Sequence, residues 1–207
     1  MDFSLSEEQV AIFDLAKQFG QEKIAPHSLD WEKSGNIPKT LWKDIASLGF
    51  GGLYVSEKNG GSGLSRLDAT LVFEALSMSC PSVAAFLSIH NMCVSMIDRY
   101  GSNELISKIL PDALTMENVI SYCLTEPGSG SDASALKTRA EKTNNCYVLT
   151  GTKSFISGGG YSDSYLVMCR TGELGPKGIS TIYLEDGSAG LSFGALEEKM
   201  GWRAQPT

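Results

Sequence analysis

Along the first half of the chain, apolar positions recur at helical spacing. Ile12, Leu15, Ala16 and Phe19 fall at i, i+3, i+4 and i+7, one face of a helix. Ser6 and Gln9 stand before that face with capping-box spacing. Pro38 suits the first turn of a second helix with Leu41, Ile45 and Leu48 on its apolar face, and Gly49 is placed to end it. After the Gly-rich stretch "FGGLYVSEKNGGSGLS", Ser65 can cap a third helix with Asp68, and Leu67, Leu71, Ala75 and Met78 give its face. A fourth helix is predicted from Pro81 to Tyr100, stopped by Gly101. A last one starts near Asn103 as its cap, with Pro111 either interrupting it or opening a new turn.

Near Met116 to Val119 the period changes. "VISYCLT", "ALKTRAEK", "CYVLTG", "SYLVMCRT", "ISTIYLE" and "LSFGALE" are short, rich in β-branched and aromatic residues, and bounded by turn residues. "KTNN", "SGGGYSDS", "TGELGPKG" and "EDGSAG" read as the turns between them. The expected architecture is α+β: a helical domain over residues 1–117, then an antiparallel β domain, sandwich- or barrel-like, over residues 118–207. Nothing in the final "MGWRAQPT" closes a β domain, so that domain is expected to be incomplete at its C-terminal end, with unpaired strand edges.

Composition narrows the chemistry. The 207 residues carry a net charge of -7, which argues against a nucleic-acid groove but leaves room for a local basic pocket. The five cysteines, Cys80, Cys93, Cys123, Cys146 and Cys169, form no C-x-x-C pair and mostly sit in apolar runs. They read as buried, reduced thiols. With only His27 and His90, neither a metal constellation nor a Ser-His-Asp triad assembles easily. The N-terminus resembles neither a signal nor a transit peptide, and no apolar run is long enough to span a bilayer. The expected location is a bacterial cytoplasm, with the mitochondrial matrix as the alternative.

The segment "YCLTEPGSGSD", Tyr122 to Asp132, admits three readings. Gly128, Gly130 and Ala133 satisfy a dinucleotide fingerprint, but Glu126 and Pro127 intervene and no helix is expected to follow. A polar connection with Gly for backbone freedom is the bland reading. The third is a loop that holds the edge of a flat cofactor. The strand end at Cys123, Leu124 and Thr125 would offer N–H groups and a hydroxyl, and Ser129 and Ser131 would add hydroxyls toward a phosphate-bearing ligand.

"CLTEPGSGSDASA" resembles a signature of the acyl-CoA dehydrogenases. "SLSEEQ", "GGSGLS", "LTGTKSFISGG" and "KMGWRAQPT" resemble the same family in the expected order, so the likeness covers essentially the whole chain. "LSRLDATLVFEAL", "SIHNMC" and "GWRAQPT" look most like the branch that acts on isobutyryl-CoA, as in valine breakdown. The resemblance implies a helical domain, a middle β domain and a further C-terminal four-helix domain, with FAD lying across the β domain. It assigns Tyr122, Cys123, Leu124, Thr125, Glu126, Pro127, Gly128, Ser129, Gly130 and Ser131 to the FAD-binding loop, with Ser131 also a contact for acyl-CoA. Phe155, Ile156 and Ser157 match the second flavin segment, where many members carry Trp and Thr instead.

The implied reaction is α,β-dehydrogenation of an acyl-CoA thioester to an enoyl-CoA, with an electron-transfer flavoprotein as acceptor and a homotetramer as the full-length assembly. The family's catalytic base is a Glu in the C-terminal helical domain. No catalytic residue is therefore expected among these 207 residues, and Glu126 is expected to serve the loop's structure. The expectation is a truncated form, inactive by itself. The alternative is a non-catalytic remnant or interaction module with weak or no flavin binding.

Overall fold

A computed structural model describes residues 4–144 and 146–207. The chain divides into two units, one reaching to Val119 and including Glu198–Pro206, the other comprising Ile120–Glu197 and Thr207.

The first unit is helical. Its first helix, α1 (Glu7–Phe19), starts on the capping box read from the sequence: the Ser6 hydroxyl accepts from Gln9 N–H at 3.2 Å, and the Gln9 side chain accepts from Ser6 N–H at 3.1 Å. It runs into one wider turn, Gly20–Ile24, where Gly20 lies against Ser79 closely enough that a Cβ would sit 2.7 Å from the Ser79 hydroxyl. A short helix, α2 (Ser28–Ser34), follows and ends on Gly35 at φ +69. It buries none of its residues, so it leaves no apolar period in the sequence. In α3 (Lys39–Ser47), Pro38 is the N-cap rather than a first-turn residue; Leu41, Trp42 and Ile45 are buried.

The other capping box, Ser65 with Asp68, opens α4 (Arg66–Ser77), and α5 (Pro81–Tyr100) has the bounds expected of it. Ser102, not Asn103, caps α6 (Asn103–Leu114), and the helix continues through Pro111. Trp42 and Phe86 pack at the centre, their rings 5.1 Å apart. Three predicted face residues, Leu15, Leu67 and Met78, are exposed, because the neighbours of α1 and α4 cover a narrower stripe than the helical period suggests.

Two buried polar side chains of α5 fix the loops around it. Asn91 accepts from Leu53 N–H at 2.7 Å and donates to the carbonyls of Phe50 (2.9 Å) and Leu87 (3.1 Å). His90 Nε2 lies 3.0 Å from the Ala113 carbonyl oxygen. The segment Glu198–Pro206 also groups with this unit. Glu32 secures it, accepting from Arg203 N–H at 2.8 Å, Ala204 N–H at 3.3 Å and the Ser82 hydroxyl.

The second unit is built on one five-stranded sheet: β1 (Ile120–Cys123), β2 (Arg139–Lys142), β3 (Tyr147–Thr150), β4 (Ser164–Arg170) and β5 (Ile179–Glu185). The helical-then-β order read from the sequence holds, but the sheet is mixed rather than antiparallel. On one edge of β4, β5 runs antiparallel along its whole length. On the other, β1 pairs parallel from Ser164 to Val167, and β2 takes over at Arg170, also parallel. The long return from Cys123 to Ser164 permits the parallel pairing, which a tight hairpin could not. β4 is buried along nearly all of both faces, matching its continuous apolar run.

β2 and β3 form an antiparallel hairpin; its expected turn "KTNN" includes Asn145, which lies outside the described residues. The expected strand "LSFGALE" does not form: residues 191–197 pair with no strand among the described residues. Its Leu191 instead packs with Ile156, Leu149 and Leu184 on Cys123, Tyr165 and Val167. Among the described residues no helix is long and apolar enough to cross a membrane, and no cluster of His, Cys, Asp and Glu could hold a metal.

Candidate functional site

At the C-terminal end of β1 the chain leaves the sheet at Leu124 and folds back on itself. Glu126 and Ser129 exchange both backbone hydrogen bonds, each 3.0 Å, so Pro127 and Gly128 form the tip of a two-residue turn. A Cβ at Gly128 or Gly130 would meet nothing within 4 Å, so this tip is open on its outer side. The Ser129 hydroxyl donates to the Asp132 carbonyl at 2.6 Å and closes the loop. Beyond it lies a single tight turn, Ala133–Ala135, and then β2. The helix that a dinucleotide fingerprint needs is therefore not there.

Glu126 points inward and is only 7% exposed. Its carboxylate accepts from Lys137 N–H (2.6 Å), Thr138 N–H (2.9 Å) and the Lys153 ammonium (2.9 Å). Burial alone would raise its pKa. The donors from Thr138, Lys137 and Lys153 outweigh burial and hold it at about 2. A carboxylate so engaged braces the loop against Lys137, Thr138 and Lys153.

Lys153 has a second partner, the Leu124 carbonyl oxygen, at 2.9 Å. The next residue continues the junction, with Ser154 N–H donating to the Thr125 carbonyl at 2.8 Å. At the other end of this segment the Ser121 hydroxyl donates to the Ser157 carbonyl at 2.5 Å. Residues 121–126 and 153–157 are thus sewn together at three places. Among the described residues, the Thr125 N–H and hydroxyl take no hydrogen-bond partner, and Thr125 is half-buried.

Phe155 is 70% exposed and holds φ +58, a backbone conformation rare for a bulky residue. Ile156 packs beneath it into the sheet core, so the two neighbours face opposite ways. Cys123 is buried, and burial pushes its thiol up to about 12, so it is inert. Tyr122, Leu124 and Ser157 are half-buried, whereas Pro127, Gly128, Gly130 and Ser131 lie exposed on the loop. The sequence reading passed over Lys153 and Ser121. The available signal was a lone lysine inside a run of small and apolar residues, "LTGTKSFISGG", opposite a glutamate in the first motif.

Comparison with known proteins bears on this geometry. Residues 6–117 match the acyl-CoA dehydrogenase N-terminal domain and residues 121–207 the acyl-CoA dehydrogenase middle domain. The chain belongs to the acyl-CoA dehydrogenase family. It is 53% identical over 204 residues to the mitochondrial isobutyryl-CoA dehydrogenase of Dictyostelium discoideum, covering 98% of this chain and 49% of that protein. Among solved structures, butyryl-CoA dehydrogenase from Megasphaera elsdenii superimposes with a TM-score of 0.89 at 35% identity, over 100% of this chain and 55% of that one. PigA in complex with FAD superimposes with a TM-score of 0.92 at 30% identity, over 100% and 55%. This acyl-CoA dehydrogenase chain therefore spans about half the length of the curated relatives it matches. Within it, the loop at Glu126 and the segment at Lys153 both fall in the middle-domain match.

Proposed function

We propose that the chain forms the flavin-binding part of an FAD-dependent dehydrogenase of acyl-CoA thioesters, with a short branched acyl group such as isobutyryl as substrate. The observation that carries this reading is the joining of residues 121–126 to 153–157, which sets the unpartnered donors of Thr125 beside the segment bearing an exposed Phe155. That set of groups fits a flat, electron-accepting ring: N–H and O–H donors for an edge, an aromatic side chain for packing, and glycines at an open loop.

Bound there, FAD would supply the acceptor for the hydride removed from the carbon one position beyond the thioester α-carbon. Thr125, with Leu124 beside it, would hold the pyrimidine edge of the ring, and donors at that edge stabilise the negative charge that reduction places there. Phe155 would pack on the ring system and Ser157 approach its opposite edge. Ser131, exposed on the loop, would contact the acyl-CoA. Glu126, engaged by Lys137, Thr138 and Lys153, would leave proton abstraction to a base outside these segments.

The acceptor of the electrons is an electron-transfer flavoprotein, the working assembly a homotetramer and the location a bacterial cytoplasm or mitochondrial matrix. Family membership and the likeness to the Dictyostelium enzyme support this part of the reading.

The test is equilibrium dialysis of the purified chain against FAD. Retained flavin near one equivalent, with Thr125→Ala weakening it roughly tenfold for one lost hydrogen bond, is the expected result. A chain that leaves all its FAD in the dialysate, and gives no flavin absorbance after purification, would instead favour a non-catalytic module.

A further inference from the structure

Lys153 is a largely buried cation with two acceptors of different kinds. The Glu126 carboxylate at 2.9 Å balances its charge, while the Leu124 carbonyl, also at 2.9 Å, has no charge to offer. That carbonyl belongs to the same peptide group as the Thr125 N–H. In a trans peptide the two point in opposite directions, and the described chain has no cis bonds. A cation seated on the oxygen therefore aims the N–H away from itself. It also draws electron density toward the oxygen and makes the N–H a stronger donor, since hydrogen bonds in series polarise one another inside a protein.

We propose that Lys153 acts through the peptide group between Leu124 and Thr125 as a positioning and polarising residue, so that the Thr125 N–H is a strengthened donor for an electron-rich acceptor. Resting on the flavin reading, that acceptor is the ring edge that gains negative charge on reduction. Glu126 has the complementary part: it keeps the ammonium in place, and its own negative charge dampens the polarisation.

The two members of the pair thus have opposite signs at Thr125, which a plain structural brace would not give. Lys153→Met removes the polarising cation. Glu126→Gln keeps the cation on Leu124 and removes the opposing charge. The double variant Glu126→Gln/Lys153→Met leaves no buried unpaired charge and serves where Lys153→Met alone unfolds.

The first measurement needs no flavin. In the chain without ligand, the ¹⁵N and ¹H shifts of Thr125 and the carbonyl ¹³C shift of Leu124 are compared between these variants. Lys153→Met, or the double variant, is expected to move all three upfield, and Glu126→Gln to leave them or move them downfield. Equal upfield shifts in Lys153→Met and Glu126→Gln would overturn the proposal and leave a simple brace. So would unchanged shifts in Lys153→Met or the double variant.

The second measurement compares affinity for oxidised and reduced flavin by dialysis, the reduced arm under anaerobic conditions. Loss of the cation is expected to weaken the reduced form roughly two- to fivefold more than the oxidised. That preference corresponds to a potential lower by about 10–20 mV for a two-electron couple. Equal weakening of both forms would count against the polarising role. Wild-type chain that binds neither form would sink the flavin assignment, while the chemical shifts still decide whether Lys153 polarises Thr125.

Discussion

The Ser121 hydroxyl donates to the Ser157 carbonyl at 2.5 Å and lies 2.6 Å from the Ser162 hydroxyl, which must then donate to it. Ser121 is fully buried in β1, so this chain of bonds fixes the start of the 157–162 turn to the parallel edge of the sheet. Ser121→Ala leaves the Ser157 carbonyl without that donor. A loss of about 1–3 kcal/mol in urea unfolding is expected. Flavin retention should fall with it, because residue 157 loses its anchor. Unchanged stability in Ser121→Ala would mean that water replaces the hydroxyl without loss.

Glu126 makes stability depend on acid. Its carboxyl is held at about 2 against an ordinary 4.5, so the folded state favours the ionised form. The stabilisation is fully present above pH 4.5 and disappears as pH falls toward 2, where the folded form also takes up the proton. Glu126→Gln is expected to be less stable than wild type at pH 7 by a few kcal/mol, with the gap shrinking through that window. Parallel stability curves for the two proteins between pH 5 and 2 would refute this.

Phe155 separates stability from binding. Its positive φ costs an aromatic residue roughly 1 kcal/mol, which glycine does not incur, although glycine brings extra unfolded-state entropy. Phe155→Gly is therefore expected to be as stable as wild type, or more so by up to about 1 kcal/mol. It should nevertheless lose flavin affinity if the ring packs on the cofactor. Thermal unfolding and dialysis on the same sample check both halves.

Glu32 offers a test away from the candidate site. It accepts from the backbone of Arg203 and Ala204 and from Ser82, and these bonds, aided by Lys199, hold its pKa below the ordinary value despite burial. Glu32→Ala should speed hydrogen exchange at Arg203 and Ala204 by roughly tenfold or more, with the α5 core amides little changed.

The thiols give a simple count. Cys80, Cys93, Cys123 and Cys169 are buried and Cys146 is exposed. Burial raises the pKa of Cys80, Cys123 and Cys169. The native protein should react with one fast equivalent of an aromatic disulfide reagent, rising to five on unfolding.

What the sequence disclosed was mostly local. Ser6 with Gln9 and Ser65 with Asp68 mark helix starts through bonds that span a turn or less, and Pro81 and Gly101 mark the two ends of α5 by residue type alone, so neighbouring letters suffice. The segment Ser28–Ser34 escaped notice because a helix that buries nothing has no period to read. Strand pairing was hidden for a different reason. Whether Ile120 meets Ser164 in parallel depends on the path between them, and no property of either segment records it. The run 191–197 has strand composition but pairs with no strand among the described residues, and its composition does not record that. The candidate loop was readable as a motif, whereas Lys153 looked like any surface lysine until its acceptors, Leu124 and Glu126, were in place.

The arrangement around β4 also dictates an order of events when the chain is made. β1 emerges first, yet among the described residues its strand neighbour is β4, and the β2–β3 hairpin likewise joins β4 at Arg170. Closing so distant a contact is slow, so on a ribosome the earlier strands must wait with their hydrogen-bonding edges bare. A nascent chain stalled before Ser164 would leave β1, just ahead of Thr125, without its sheet partner, an apolar strand open to association with other unfinished copies.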